Sequence, residues 1–372
     1  MLVMTVAGAR PQFIKCAPMS AALRARHEEI LVHTGQHYDA ALSRVFFDEM
    51  DLPAPDHNLD VGSGSHAAQT AGVMTRLEPL VMRVKPDALL VYGDTNSTLG
   101  AALTAAKLHV PVVHVEAGLR SFNRDMPEEV NRVVVDHVSR VLCCPCAGAA
   151  RNLEREGIVE GVVETGDVMY DAFLRFRPLS AKRPIVSQLG LREGDYTLLT
   201  VHRAENTEHG DNLRRILRGV NDARARLPRA EFGGACLFPV HPRTRAAMEK
   251  NALAEKDYPN IRFVEPLGYL DFLAVSAAAR IIVTDSGGLQ KEAYWHGVPC
   301  VTIRTETEWV ETVEAGWNCL AGTDSEKIAD AIATFRPSTR AQGFRAPGPR
   351  PTLYGEGDAA EKVVKAMETR LG

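Results

Sequence analysis

VMTRLEPLVMRVKPDALLVYGDTNSTLGAALTAAKLHVPVVHVEAGLR, residues 73–120, sets the architecture of the chain. Within it Val73, Met74, Leu77, Leu80, Val81 and Val84 recur at three- and four-residue steps, the period of one helix face, and Pro86 stops that helix. The run ALLVY then reads as a short buried strand. Asn96 is placed to cap a second helix over residues 97–108, closed by Pro111, before the strand VVHV. Helix, strand, helix, strand with short polar links is the pattern of a parallel sheet with helical crossovers. Both strands run into an acid, Asp94 and Glu116.

Outward from this stretch the same alternation continues. Strands are expected at residues 2–7, 29–33, 88–92, 112–115 and 141–144, and in the second half at 197–201, 235–240, 261–264, 280–284 and 300–303. Helices are expected over 212–226 and 289–296, the latter ended by Gly297 ahead of Pro299, and over 359–371 at the end. At roughly 150 residues per domain, 372 residues suggest two. FRPLSAKRPIVSQLG is weakly periodic and places a hinge near residues 170–190, and the Pro-, Gly- and Arg-rich stretch at 336–357 is expected to lead the last helix back to the first domain. The expected division is 1–170 plus 357–372 for the first domain and 171–356 for the second. The fold class is α/β, two Rossmann-like domains with parallel sheets, and open sheets of this kind bind ligands at the carboxyl ends of their strands. An active site in the crevice between the domains is expected.

Composition narrows the function. The chain is 45% hydrophobic and 24% charged, as soluble globular proteins are, and its 43 Lys and Arg against 47 Asp and Glu give a formal charge of −4. Neither nucleic acid nor a membrane is implied as a partner. Seven cysteines, an odd number set mostly in apolar runs, suit reduced buried thiols. CCPC at Cys143–Cys146 lacks a second cluster at zinc spacing, so no metal is expected. The amino terminus MLVMTVAG reads as a strand rather than a signal peptide, and a cytoplasmic location follows from these features.

Four constellations carry chemistry. AGARPQFIK (7–15) follows the first strand, where a glycine turn and Pro11 at a helix start offer Arg10 and backbone amides to an anion. TDSGGLQKEAYWHG (284–297) places Ser286, Gly287 and Gly288 at a strand-to-helix junction suited to phosphate, with Glu292 one turn on, able to accept from ribose hydroxyls. GxGxxG and Walker spacings are absent, which argues against dinucleotides and ATP. The third set is acidic: Asp94, Glu116 and Glu128, the pairing that divides acid and base work, although Glu128 also suits the first turn of a helix with Arg132 four residues on. The fourth comprises histidines beside polar or cationic residues at strand ends: His37 after Gln36, His202 with Arg203, and His241 with Arg243. Tyr269 and Phe272 lie upstream of the phosphate loop, where a ring could stack a base or pack a helix core.

Taken together, GARPQFIK, HTGQHYD, YGDTNST, HVEAGLRS, MPEEVNR, VHRAEN, PVHPRT, TDSGGLQKEA and ETEWVETVEAGWN, in order from residue 8 to 318, and the closing YGEGDAAEKVV resemble the non-hydrolysing UDP-N-acetylglucosamine 2-epimerases. The resemblance implies a glycosyltransferase-B-like fold, a cytoplasmic homodimer serving polysaccharide biosynthesis, and interconversion of UDP-GlcNAc and UDP-ManNAc without NAD or metal. It implies anti elimination of UDP to 2-acetamidoglucal followed by re-addition. It puts Arg10, His202, Ser286, Gly287 and Gly288 on the diphosphate, with His241 in the same nucleotide site, Glu292 on the ribose and Phe272 against the uracil. Asp94, Glu116 and Glu128 become the catalytic acids, with Lys15 and His202 also required. Gln36, His37, Arg120, Asn131, Arg132 and Arg304 are candidate sugar contacts. The wording of GARPQFIK and HTGQHYD also resembles the branch acting on UDP-2,3-diacetamido-2,3-dideoxyglucuronate, for whose carboxylate Arg120, Arg124 and Arg304 are candidates. GSGSHAAQ lacks the arginine through which some members bind an activating second UDP-GlcNAc, which argues against that activation.

Overall fold

In the structure, a computed structural model, the strands expected from the sequence fall within two parallel sheets. The structure describes residues 1–35, 49–226, 236–334 and 350–372. The chain divides into two units, Met1–Phe176 with Thr352–Gly372, and Arg177–Pro351. The division falls inside a helix, Val168–Ser180.

The first unit is built on a seven-stranded sheet of order β3-β2-β1-β4-β5-β6-β7. Its strands are β1 Leu2–Ala7, β2 Glu28–His33, β3 His57–Asn58, β4 Ala88–Tyr92, β5 Val112–Val115, β6 Val141–Cys144 and β7 Val162–Glu164, all parallel. The strand order reverses between β1 and β4, which is where an open sheet leaves a crevice beyond its strand ends. The helix Arg10–Arg24 that follows β1 carries Lys15, and the turns after β4 and β5 carry Asp94 and Glu116, toward that region. Met4, Val6, Leu89 and Val91 pack against Val73, Leu77, Ala101 and Ala105 of the helices His66–Val84 and Asn96–Lys107.

The second unit holds β8 Thr197–Thr200, β9 Cys236–Pro239, β10 Ile261–Val264, β11 Ile281–Thr284, β12 Cys300–Thr302 and β13 Asn318–Leu320 in the order β10-β9-β8-β11-β12-β13. Here the reversal lies between β8 and β11, which end on His202 and on the Ser286 loop. Leu199 and Val283 face the helix Gly210–Ala223, while Leu198 and Ile282 face Val275, Leu289 and Ala293. Burial on both faces is why these strands read as unbroken apolar runs.

Three strands escape the sequence pattern: β3, β7 and β13 are two or three residues long, stand at or near sheet edges and are partly polar. The cap of the helix Asn96–Lys107 is Thr95, whose hydroxyl accepts from Thr98 N at 3.2 Å, rather than Asn96. Asn96 is instead buried and donates to Gln69 at 2.7 Å. The last helix, Ala359–Leu371, packs in the first unit, where Asp171 accepts from Ala359 N and Ala360 N at 3.2 and 2.7 Å. Gln36 and His37, and most of the 336–357 stretch, lie outside the described residues.

Candidate active site

In the first unit the acids are held by cations. Lys15, one turn into the helix Arg10–Arg24, forms an ion pair with Glu116, and both side chains are 10% exposed. Glu116 sits at φ 73, a left-handed conformation uncommon for a residue with a side chain, at the point where the chain leaves β5. Gly93, just before Asp94, lies against this pair: a Cβ there would stand 3.2 Å from Glu116 Oε2 and 3.8 Å from Lys15 Nζ. Asp94 pairs with Arg132, whose other arm reaches Glu129 at 3.0 Å. Arg132 therefore serves Glu129 and Asp94, not Glu128 as its four-residue spacing suggested. Glu128 is half-buried at the start of the helix Pro127–Val138, with no hydrogen bond or ion pair among the described residues. Asn131 donates to the backbone oxygen of Asp94 at 2.8 Å, so it orients that turn.

Gln12 and Glu129 had no functional reading in the sequence. Gln12, 3% exposed, accepts from Gly8 N and Ala9 N at 2.8 and 3.1 Å and donates to Tyr92 O and Thr98 at 2.7 and 2.9 Å. It ties the turn after β1 to the turn after β4, and it occupies two amides that the glycine turn offered to an anion. Arg10 stands exposed beside it. Glu129 accepts from Ser121 N, Ser121 Oγ and Phe122 N at 2.9–3.0 Å, fixing the loop that follows Glu116.

Arg120 and Arg304 are not free to meet a sugar. Arg120 is 5% exposed and spends its donors on Glu156, Asp136 and Leu119 O, each at 2.7 Å. Arg304, 4% exposed, is bidentate to Glu308 at 2.9 and 3.1 Å. Both residues lie in the irregular segment after β12, so their four-residue spacing carried no helical signal in the sequence.

In the second unit Ser286 caps the helix Gly287–His296, its hydroxyl accepting from Leu289 N at 3.4 Å. Ser286 N donates to Thr284, but no described residue accepts from the amides of Gly287 or Gly288. Two open amides at a helix amino end are an anion site. A Cβ on Gly288 would meet nothing nearer than Ser286 Oγ at 4.0 Å, so the space above it is open. A Cβ on Gly287 would stand 3.1 Å from Trp309 Nε1 and 3.8 Å from an Arg203 nitrogen. Lys291, buried, rests on the face of Trp309, 3.7 Å from the ring centroid.

The fully buried Asp285 holds the neighbouring turn, accepting from His202 N, Arg203 N and Asn206 at 3.0–3.1 Å. Its Oδ1 lies 3.3 Å from His202 Nδ1. Burial pushes the His202 imidazole below its ordinary value; Asp285 opposes this, while Arg203 and Arg243 add to it. His241 lies 5.6 Å from the His202 ring and caps the helix Pro242–Lys250 by accepting from Arg243 N at 3.2 Å. Phe272 is half-buried and packs against the cluster of Leu198, Val275 and Leu289.

Glu292 is 4% exposed, and burial pushes its carboxyl up to about 7, partly offset by a hydrogen bond from Tyr269 at 3.1 Å and by Lys291. Tyr269 thus reaches the candidate site through its hydroxyl. Only the carboxylate can accept from two ribose hydroxyls at once, so nucleotide affinity should grow as pH rises through about 7. Calorimetric titration of UDP is expected to give a roughly tenfold weaker Kd at pH 6 than at pH 8, relative to Glu292→Gln at each pH. An identical pH dependence in the variant would contradict this role.

Residues 21–368 match the family model described as UDP-N-acetylglucosamine 2-epimerase. The chain belongs to the UDP-N-acetylglucosamine 2-epimerase family. Similarity within this family runs end to end. A UDP-N-acetylglucosamine 2-epimerase homolog of Methanococcus maripaludis is 46% identical over 99% of both chains. A UDP-2,3-diacetamido-2,3-dideoxy-D-glucuronate 2-epimerase of Pseudomonas aeruginosa is 40% identical, again over 99% of both. The crystal structure of the Methanocaldococcus jannaschii UDP-GlcNAc 2-epimerase in complex with UDP-GlcNAc and UDP superposes with a TM-score of 0.89 at 37% identity, covering 99% of this chain and 100% of that one. The epimerase family fold, of glycosyltransferase-B type, is therefore the fold of this chain.

Proposed function

We infer that this chain is a non-hydrolysing 2-epimerase that interconverts UDP-GlcNAc and UDP-ManNAc. The observation that carries the reading is the division of labour between the units: cation-held carboxylates at the switch point of one sheet, and open amides with a buried ribose acceptor at the switch point of the other. A nucleotide sugar needs both. Its C2 proton is not next to a carbonyl, so removing it alone would leave an unstabilised carbanion. Loss of UDP from C1 solves this. As a carboxylate takes the C2 proton, the C–H electrons form the C1=C2 double bond and the C1–O pair leaves with UDP. An acid on the opposite face then protonates C2 while a diphosphate oxygen returns to C1.

Asp94, Glu116 and Glu128 share the proton work, Lys15 holds Glu116 in place, and Arg10, His202, His241, Ser286 and the Gly287 and Gly288 amides hold the departing diphosphate. Phe272 is assigned to the uracil and Glu292 to the ribose. Gln36 and His37 remain proposed sugar contacts, while Asn131 and Arg132 are reassigned to orienting Asp94. No NAD and no metal is required by this route: elimination and re-addition move a proton and no hydride, and the leaving group is stabilised by amides and cations. A cytoplasmic homodimer feeding polysaccharide synthesis is part of the proposal. No helix among the described residues is long and apolar enough to cross a membrane, and burial pushes the thiols of Cys16, Cys143, Cys144, Cys236, Cys300 and Cys319 up.

The relative from Pseudomonas aeruginosa favours a second reading, the same reaction on the diacetamido uronate. Against it, Arg120 and Arg304 are both neutralised by carboxylates and leave Arg124 as the exposed cation of the three named for the uronate. Turnover of the two sugar nucleotides, followed by NMR under matched conditions, tests the choice. UDP-GlcNAc is expected to have the higher kcat/KM by about tenfold or more, the worth of one missing charge partner. The reverse order would establish the uronate.

A further inference from the structure

Beneath the two turns that carry Asp94 and Glu116 lies a charged group of four side chains that the proposed chemistry does not use. His114, inside β5 and fully buried, places Nε2 2.8 Å from the carbonyl oxygen of Gly93, the residue before Asp94. Its Nδ1 lies 2.7 Å from Asp136 Oδ1. Asp136, 1% exposed, accepts on Oδ2 from Gly118 N at 3.1 Å, two residues past Glu116, and from Arg120 at 2.7 Å. Arg120 completes the set with two bonds to Glu156. One His–Asp pair thus grips both turns. Both turns are closely packed: a Cβ on Gly93 would stand 3.2 Å from Glu116 Oε2, and one on Gly118 would collide with the Ala149 carbonyl.

The hydrogen-bond partners fix the charge of the ring. A carbonyl oxygen only accepts, and so does a carboxylate, so both nitrogens of His114 must donate. Burial works against the Asp136 carboxylate, yet His114 and Arg120 outweigh it and hold its pKa below the ordinary range.

We propose that His114, as a buried imidazolium, and Asp136 are positioning residues that set the separation of Asp94 and Glu116 for proton removal and return. The proposal rests on the epimerase reading. Neither residue touches substrate. Their worth is geometric, because inversion at C2 needs two groups placed on opposite faces of one carbon, and a misplacement of about 1 Å costs on the order of 100-fold.

Steady-state epimerisation, UDP titration and nitrogen NMR of histidine-labelled protein test it together. In the wild type at neutral pH both ring nitrogens of His114, assigned by their disappearance in His114→Gln, are expected to carry protons; a bare ring nitrogen overturns the charged brace. His114→Ala should lower kcat about 100-fold, with KM and the Kd for UDP within about twofold. His114→Gln, whose amide can still donate to the Gly93 carbonyl, should regain about tenfold of that loss, and Asp136→Asn should lose kcat in the same way. Unchanged kcat, equal losses in the Ala and Gln variants, or a parallel rise in KM and Kd overturns the positioning role. If His114→Ala does not fold, the ring protonation and the Gln and Asn variants decide. A wild type that leaves C2 uninverted contradicts the epimerase reading instead, and the ring protonation still decides the brace.

Discussion

Asp94→Asn is expected to slow inversion at C2 by about 100- to 10,000-fold, the usual worth of a positioned acid or base, while the Kd for UDP stays within about twofold. The amide keeps the bulk of the carboxylate and can still meet Arg132, so the fold retains its shape at the strand end. What it loses is the ability to hold a proton from C2. Because the proposed nucleotide groups other than Arg10 belong to the other unit, binding and chemistry should separate. Product NMR and calorimetry on the same preparation check both halves. Normal turnover would remove Asp94 from the acid set, and a matching loss of UDP affinity would mean that its role is in binding.

Gly288→Val is expected to weaken UDP binding by roughly 100-fold or more, the value of one or two charge-assisted hydrogen bonds to phosphate. The structure isolates this effect from stability. A Cβ at Gly288 would meet nothing nearer than Ser286 Oγ at 4.0 Å, so the valine is expected to project into the space proposed for the diphosphate. Thermal unfolding of the ligand-free variant should therefore match the wild type to within the small cost of a branched residue in the first helical turn. Unaltered UDP affinity would show that the diphosphate is held elsewhere. A large loss of stability would show that the glycine serves packing.

The sequence made much of this legible because the informative residues are local. TDSGGLQKEA announces a strand, a cap, two small residues and an acid one turn on, and the structure places Ser286, the Gly287 and Gly288 amides and Glu292 in one helical turn and a half. Asp94 and Glu116 were expected on neighbouring strands, and β4 and β5 are hydrogen-bonded neighbours. What stayed hidden are buried polar braces whose partners are distant in sequence. Gln12 joins residues 80 to 86 positions away, and Asp285 grips a turn more than 80 residues before it. No periodicity marks such a residue, since a buried amide inside an apolar helix face looks like an imperfection in the pattern. Arg120 and Arg304 mislead for the complementary reason: a cation near a motif suggests a ligand contact, until the carboxylate that occupies it is seen.

The central claim is that C2 is inverted through departure and return of UDP. Proton NMR of UDP-GlcNAc incubated with the enzyme in D2O tests it most directly. Deuterium should replace the C2 proton as the UDP-linked manno epimer accumulates, because the proton returned comes from an acid that exchanges with solvent. A manno product that retains its C2 protium, or release of UDP with no exchange at C2, would contradict the account.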